Sequence, residues 1–331
     1  MSCVSSGQIG HRRTRRARSS ALARVRRVLL LVSSPIANSR ADFDELAEWT
    51  AALDPELAVS VVDDVRAADL AANVPDLPTL TVSPGPLRRF TPRRGTVLQG
   101  QHVAKSTEYR ALEAIGVPVP RWVRLLPGES PELGQFGEYV VTKPDFGARG
   151  AEVRIERRSY ARWSPPRTQL SEGFGGAFNP RLAQEFVYTG PWPHSYRVAT
   201  LFGHALWSLR IEASQGREAL RTRADFHGQS IVSSGRGCTF TLADDAAVIA
   251  LAERASAAFP LVPVLGIDIL RDADSGDLFV VEPNSLGYSW HFSSPSGNKL
   301  QVEFGLSLES QFDGRRKAAR LLAKACAEHA R

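Results

Sequence analysis

Cysteine is sparse in this chain. Cys3, Cys238 and Cys326 are its only three, and no two of them stand in a CxxC spacing. That excludes a zinc ribbon and a disulfide framework, and it fits a reducing, cytoplasmic setting. Lysine is nearly as scarce, five of the 41 basic residues, so a lysine at the end of an apolar run stands out. Long apolar runs are missing too: the run at 28–32 is far too short to span a bilayer or to serve as a secretory core. Acid is absent from 11-HRRTRRARSSALARVRR-27, and most of the formal charge of +6 comes from there. The remainder is close to neutral, which excludes a broad basic face for nucleic acid. The tail reads as an unstructured leader or an over-long start. An Arg- and Ser-rich transit peptide is a second reading. A nucleic-acid arm is a third, opposed by the lack of interleaved aromatics.

What is present is ordinary globular composition, 43% apolar and 23% charged over 331 residues, enough for two or three packed units. Residues 25–34 (VRRVLLLVSS) predict a buried strand. A helix is expected over 42–53 with Asp42 as its cap, then a strand at 58–62, a helix at 63–72 and a short strand at 79–82. This is a small α/β unit. A basic Pro- and Gly-bearing stretch, LRRFTPRRG, separates it from the longer C-terminal part of the chain. Ser106 or Thr107 then opens a helix with Tyr109, Leu112 and Ile115 on one face, ended by Gly116. Strands are expected at 139–142, 153–155 and 182–190, with a Gly-rich stretch at 171–180. A hairpin turned at Gly203-His204 joins 196–201 to 205–211. A helix at 244–258, two apolar runs joined by the turn-rich RDADSGD, and a last helix at 314–330 complete the chain. No internal repeat is visible.

The polar residues inside the last two apolar runs carry the chemistry. Asp268 sits in the first run, and Glu282 and Asn284 follow the second, in FVVEPN. A tight hairpin brings Asp268 beside Glu282, and strand alternation puts Glu282 and Asn284 on one face. Three oxygen ligands suit a hard cation such as Mg²⁺, which keeps water and phosphate in its shell. Without a cation, two buried carboxylates repel and one stays protonated. The plainer reading is a hairpin with incidental acids. Lys143 ends the strand YVVT ahead of a Gly-bearing loop, 145-DFGARG-150, a placement suited to phosphate. Lys105 at the preceding helix start supplies a second cation, or is simply a solvated first turn.

The order Lys105-Ser106, 116-GVPVP-120, VVTKP with its Gly loop, 184-QEFV-187, Arg197, 266-GIDIL-270 and 282-EPN-284 resembles the ATP-grasp superfamily over about residues 96–310. It is similar to the carboxylate–amine ligases such as glutathione synthetase and the ribosomal-protein glutamate ligase. The resemblance implies an α+β ATP-grasp fold, two α+β subdomains (about 96–186 and 187–331) clasping ATP. A small α/β domain at 25–95 and a leader at 1–24 precede them. It implies that Lys105 and Lys143 contact ATP phosphates and that Gln184, Glu185, Phe186 and Val187 form the adenine hinge. Asp268, Glu282 and Asn284 would hold Mg²⁺, two ions by the family pattern, with Mn²⁺ an alternative. Arg197 and Arg210 would face the transferred phosphate or the acid substrate.

The implied reaction is ATP-dependent joining of a carboxylate, small molecule or peptide, to an amine or thiol through an acyl phosphate. A small-molecule kinase and a non-catalytic nucleotide-binding module are the alternatives. No nucleic acid or membrane partner is expected, and a homo-oligomer is compatible with the pattern. The chain departs from the family at His194-Ser195-Tyr196, where an acid is common, and at Arg223, where an Asn is common after Arg221; Gly228 is kept. Arg221 and Arg223 favour an anionic substrate. Trp290 and His291 line the substrate pocket or serve in packing, and His291 is a candidate base.

Overall fold

A computed structural model describes residues 25–34, 37–64, 76–88, 91–92, 94–147, 150–167, 179–216, 237–286 and 289–331. The arginine-rich leader, most of the helix expected at 63–72, the Gly-rich residues 171–178, and Arg221, Arg223 and Gly228 lie outside the described residues.

The N-terminal unit is a parallel sheet of order β2-β1-β3-β4: β1 (Arg27–Ser33), β2 (Leu57–Asp63), β3 (Thr79–Ser83) and β4 (Thr96–Gln99). Six of the seven residues of β1 are buried, as befits a central parallel strand covered on both faces. Asp63 closes β2 rather than opening a helix. β4 pairs with β3, so the first sheet runs past residue 95, where the sequence pattern puts its end. Helix α1 (Arg40–Leu53) begins two residues earlier than expected, and its cap is Ser39, whose Oγ accepts from the Asp42 amide. Asp42 is thereby freed to turn inward.

Two antiparallel sheets follow. One has order β5-β8-β6-β7: β5 (Trp122–Leu125), β6 (Tyr139–Pro144), β7 (Arg154–Arg157) and β8 (Arg181–Glu185). The other has order β11-β10-β9-β12-β13: β9 (His194–Leu201), β10 (His204–Ala213), β11 (Cys238–Leu242), β12 (Val264–Arg271) and β13 (Leu278–Asn284). The β9–β10 turn is Phe202-Gly203, one residue earlier than expected, because both residues take positive φ, 48° and 80°. That pair of angles suits a two-residue hairpin turn, and His204 is already paired with Leu201.

Helix α2 (Lys105–Ala114) ends before Ile115, which is 44% exposed; the chain reverses at Gly116 (φ 71°) and Val117 takes the buried place instead. Helix α3 (Ala246–Ser256) is capped by Asp245. The sequence pattern did not disclose β11, α4 (Pro295–Phe304) or α5 (Leu308–Phe312), whose apolar spacing is weak; α6 (Gly314–His329) lies where expected.

Two cores pin the sheets together. Leu29, Leu31, Phe43, Trp207, Trp290 and Leu322 join the first sheet, α1 and α6 to the third sheet, on the face that carries Arg197 and Asp268. Tyr109, Leu112, Val198, Val248, Ile267 and Val280 pack α2 and α3 against β9, β12 and β13. Among the described residues, no helix is long and apolar enough to cross a membrane.

Candidate active site

The register of the five-stranded sheet sets Glu282, Asp268, Arg197 and Leu209 side by side across β13, β12, β9 and β10. Arg197 clasps Asp268 through two parallel bonds, Nε to Oδ1 and Nη2 to Oδ2, each 2.6 Å. Asn284 Nδ2 donates to Asp268 Oδ2 and to Gly266 O, each at 3.0 Å, which turns its amide oxygen outward from both contacts. A Cβ at Gly266 would stand 2.2 Å from Ser289 Oγ, so only glycine lets the chain after β13 fold back this closely.

Between Asp268 and Ile269 the pairing shifts, and β13 carries one extra residue, Val281. Its carbonyl accepts from Tyr109 Oη at 2.8 Å and from Lys143 Nζ at 3.2 Å. Lys143 Nζ also donates to Tyr109 Oη at 2.8 Å, while Gln184 Oε1 lies 2.6 Å from the same oxygen. The phenol has one proton for two acceptors, Gln184 and Val281. The sequence presents Tyr109 only as part of an apolar helix face; its hydroxyl at the centre of this network leaves no periodic signal.

Lys105 opens α2 and reaches Glu282 Oε1 at 3.1 Å and Gly147 O at 3.0 Å. Asp145 holds that helix start: its Oδ1 accepts from the Ser106 amide and its Oδ2 from Ser106 Oγ, each at 2.8 Å. Ala104 precedes the helix and has no side chain to do this, so the loop after Lys143 supplies the cap. Both lysines are thus fixed by one Lys-Pro-Asp segment and one helix end.

Charge and burial compete throughout. Burial disfavours the Lys105 ammonium, yet Glu282, Glu108 and Asp145 outweigh it and its pKa rises. Lys143 goes the other way: burial and the neighbouring Lys105 charge lower it to about 8. Burial raises Glu282, but Lys105, Lys143 and Arg197 pull it below the usual carboxylate range. Burial, aided by Arg197, lowers His291 to about 3, so the imidazole is neutral at pH 7.

These groups line a cleft of about 560 Å³ between the two antiparallel sheets. Gln184, Phe186 and Val187 line it, with Val141, Ile155 and Leu270 as further apolar wall. Two expected residues are not brought in. Glu185 points toward Arg121, 3.9 Å away, as alternation along β8 requires. Arg210 pairs across the sheet with Tyr196 and bonds Glu212, so it lies on the face opposite Arg197 and Leu209. His291 does line the cleft, stacked on Trp207 at 5.1 Å. Trp290 serves in packing: its ring meets Phe43 at 5.5 Å and its Nε1 donates to Asp42.

Asp268, Glu282 and Asn284 have the donor chemistry for a hard divalent cation that keeps part of its shell for water and phosphate. Among the described residues no group of three or more His, Cys, Asp or Glu side chains forms a metal cage by itself.

Known structures share this architecture. PsnB, described as an ATP-grasp ligase, in complex with its minimal precursor, Mg and ADP, matches with a TM-score of 0.51 at 15% identity, over 89% of this chain and 98% of that one. The same ligase with minimal precursor alone matches at 0.50 and 16%, over 90% and 98%. The chain has the ATP-grasp fold. A D-alanine–D-alanine ligase from Bacillus anthracis complexed with ATP gives 0.46 at 13%, over 91% and 98%. No family model matches, and no curated protein matches in sequence. The fold class expected from the sequence is thus present: a parallel α/β sheet followed by two antiparallel sheets.

Within this ATP-grasp cleft, Glu108 has no evident counterpart in the sequence pattern. It is buried among the site's charges, and burial, reinforced by Glu282 and Asp145, raises its pKa to about 8 against the pull of Lys105 and Lys143. The folded protein then holds a proton that the unfolded chain releases, so stability falls as pH rises through this window. Glu108→Gln is expected to flatten the decline in melting temperature from about pH 5 to about pH 8. A thermal-melt series across that range checks it; an unchanged slope would show that Glu108 ionises normally.

Proposed function

We propose that this chain is an ATP-dependent ligase that activates a carboxylate as an acyl phosphate and joins it to an amine, releasing ADP and phosphate. The observation that carries the reading is the convergence of three oxygen donors and three cations, Lys105, Lys143 and Arg197, on one cleft. Phosphoryl transfer is catalysed mainly by positioned positive charge, and this cleft sets three cations beside the oxygen donors that would hold a further one. The shared fold with PsnB, solved with Mg and ADP, supports the reading.

In this scheme the adenine lies against Phe186, Val187, Ile155 and Leu270, with backbone groups of 184–187 as its polar partners. Lys105 and Lys143 bind phosphate oxygens, exchanging their present contacts with Glu282 and Tyr109. An arriving anion raises the lowered pKa of Lys143 and completes its charge. Magnesium held by Asp268, Glu282 and Asn284 would supply Lewis-acid charge at the β- and γ-phosphates. A carboxylate oxygen of the acid attacks the γ-phosphorus in line, and the bond to ADP breaks. The amine nitrogen then attacks the acyl carbon, the bond to phosphate breaks, and the nitrogen gives up its proton to the departing phosphate or to water. Arg197 stands beside both steps, held in plane by Asp268.

Calorimetric titration of ATP with and without Mg²⁺, followed by ADP release with paired acids and hydroxylamine, tests this. Mg²⁺-dependent binding and acid-dependent hydroxamate formation are expected. A phosphate ester of a substrate hydroxyl, which hydroxylamine does not trap, would identify a kinase, as would free acyl phosphate with no amide formed from any amine, and no ATP binding would overturn the reading.

A further inference from the structure

Across the five-stranded sheet the cleft changes character. The row that begins with Glu282, Asp268 and Arg197 continues into Leu209. One row along, Leu270 on β12 is followed by Ser195, Ile211 and Phe240 on β9, β10 and β11. Strands lie about 4.8 Å apart, so Leu209 is about 10 Å from Asp268 across the sheet. Facing these strands is α4, which adds Leu300 and Phe304 to the lining; the Phe240 and Phe304 rings meet at 4.9 Å. This second apolar wall is separate from the one around Phe186 and Leu270. It begins where the charged row ends.

We propose that the carboxylic acid activated here carries a bulky apolar body, an aromatic or branched aliphatic group, seated on Leu209, Ile211, Phe240, Leu300 and Phe304. The inference rests on the ligase reading given above. A carboxylate placed at Arg197 and the metal ligands has its α-substituent directed along the row, and about 5–10 Å of apolar wall is the span of one large side chain. Lys299 and Glu303, one helical turn apart, line the same cleft and leave its rim polar. Arg210, expected to face the transferred phosphate or the acid substrate, stands on the other face of the sheet and adds no charge to this wall.

The test uses the full chain with Mg²⁺-ATP and hydroxylamine as the amine, and measures hydroxamate. L-Phenylalanine, L-leucine and 3-phenylpropionate are compared with L-alanine, acetate and L-glutamate. The apolar acids are expected to exceed the others in kcat/KM by about tenfold or more, since one methylene in a fitted pocket already discriminates about tenfold. Phe240→Ala is expected to raise KM for the large acids about fivefold while kcat and the KM for ATP stay near wild type; Phe304→Ala, on the opposite wall, is expected to do the same. Preference for L-glutamate or for the small acids, or an unchanged KM in both variants, would overturn the inference and leave the ligase reading standing. If ATP binds with Mg²⁺ but no acid gives hydroxamate, the ligase reading fails and this inference with it.

Discussion

Glu282→Gln is expected to lower Mg²⁺-dependent turnover by about 100-fold or more, the usual cost of removing one group that stabilises transferred charge. The melting temperature should stay within a few degrees of wild type. Gln keeps an oxygen for Lys105, which stands 3.1 Å from Glu282, so a contact survives while a charge is lost. The loss falls on the metal: Asp268 already gives both oxygens to Arg197, and Glu282 is the carboxylate with an oxygen to spare. ATP affinity without Mg²⁺ should not fall, because three cations then face one fewer anion. Calorimetry with and without Mg²⁺, beside ADP release and a thermal melt, separates these effects. Turnover close to wild type would remove Glu282 from the metal site.

Asp42→Ala should do the reverse, damaging stability while sparing nucleotide affinity. Asp42 is buried at the joint between the N-terminal unit and the C-terminal segments. Its Oδ2 accepts from Trp290 Nε1 at 2.7 Å and Ser293 Oγ at 2.6 Å, and its Oδ1 from Arg315 at 3.2 Å. Removing the carboxylate strands the buried Trp290 donor and the half-buried Ser293 hydroxyl, and we expect a loss of about 2–4 kcal/mol. Arg315 contributes little to that figure, since it is part-exposed and keeps Glu45 and Glu309. Urea unfolding measures the loss, and Asp42→Asn, which retains an acceptor, should recover part of it. A variant as stable as wild type would show that apolar packing, the Phe43–Trp290 contact included, holds the joint without the carboxylate.

Legibility in the sequence followed the range of each signal. Strands β1, β12 and β13 were plain because their apolar runs are local. Lys143, Asp268, Glu282 and Asn284 stand out in the sequence because each terminates or interrupts such a run. Glu185 and Arg210 were misassigned for one reason: residue type says nothing about which face of a strand a side chain takes, and a single position of offset reverses it. Tyr109, Glu108 and Asp145 were missed because their roles depend on partners 30 or more residues away, such as Gln184 and Val281 for Tyr109 and Ser106 for Asp145. Ser39 lost its cap to Asp42 in the sequence reading because both are good capping residues three positions apart.

The extra residue in β13 has a meaning for how such chains can diverge. With Val280 paired to Ile269, an unbroken ladder would set Val281 against Asp268 and Glu282 against Ile267. Glu282 would then face the packed apolar side of the sheet, and the row of acids would lose its first member. Deleting Val281 would instead close the bulge with Glu282 still opposite Asp268, and would cost the carbonyl that Tyr109 and Lys143 share. The bulge is therefore heritable information here: a chain that keeps Val281 holds Glu282 in the row of acids only by bulging at that point, and a chain that lacks it needs no bulge.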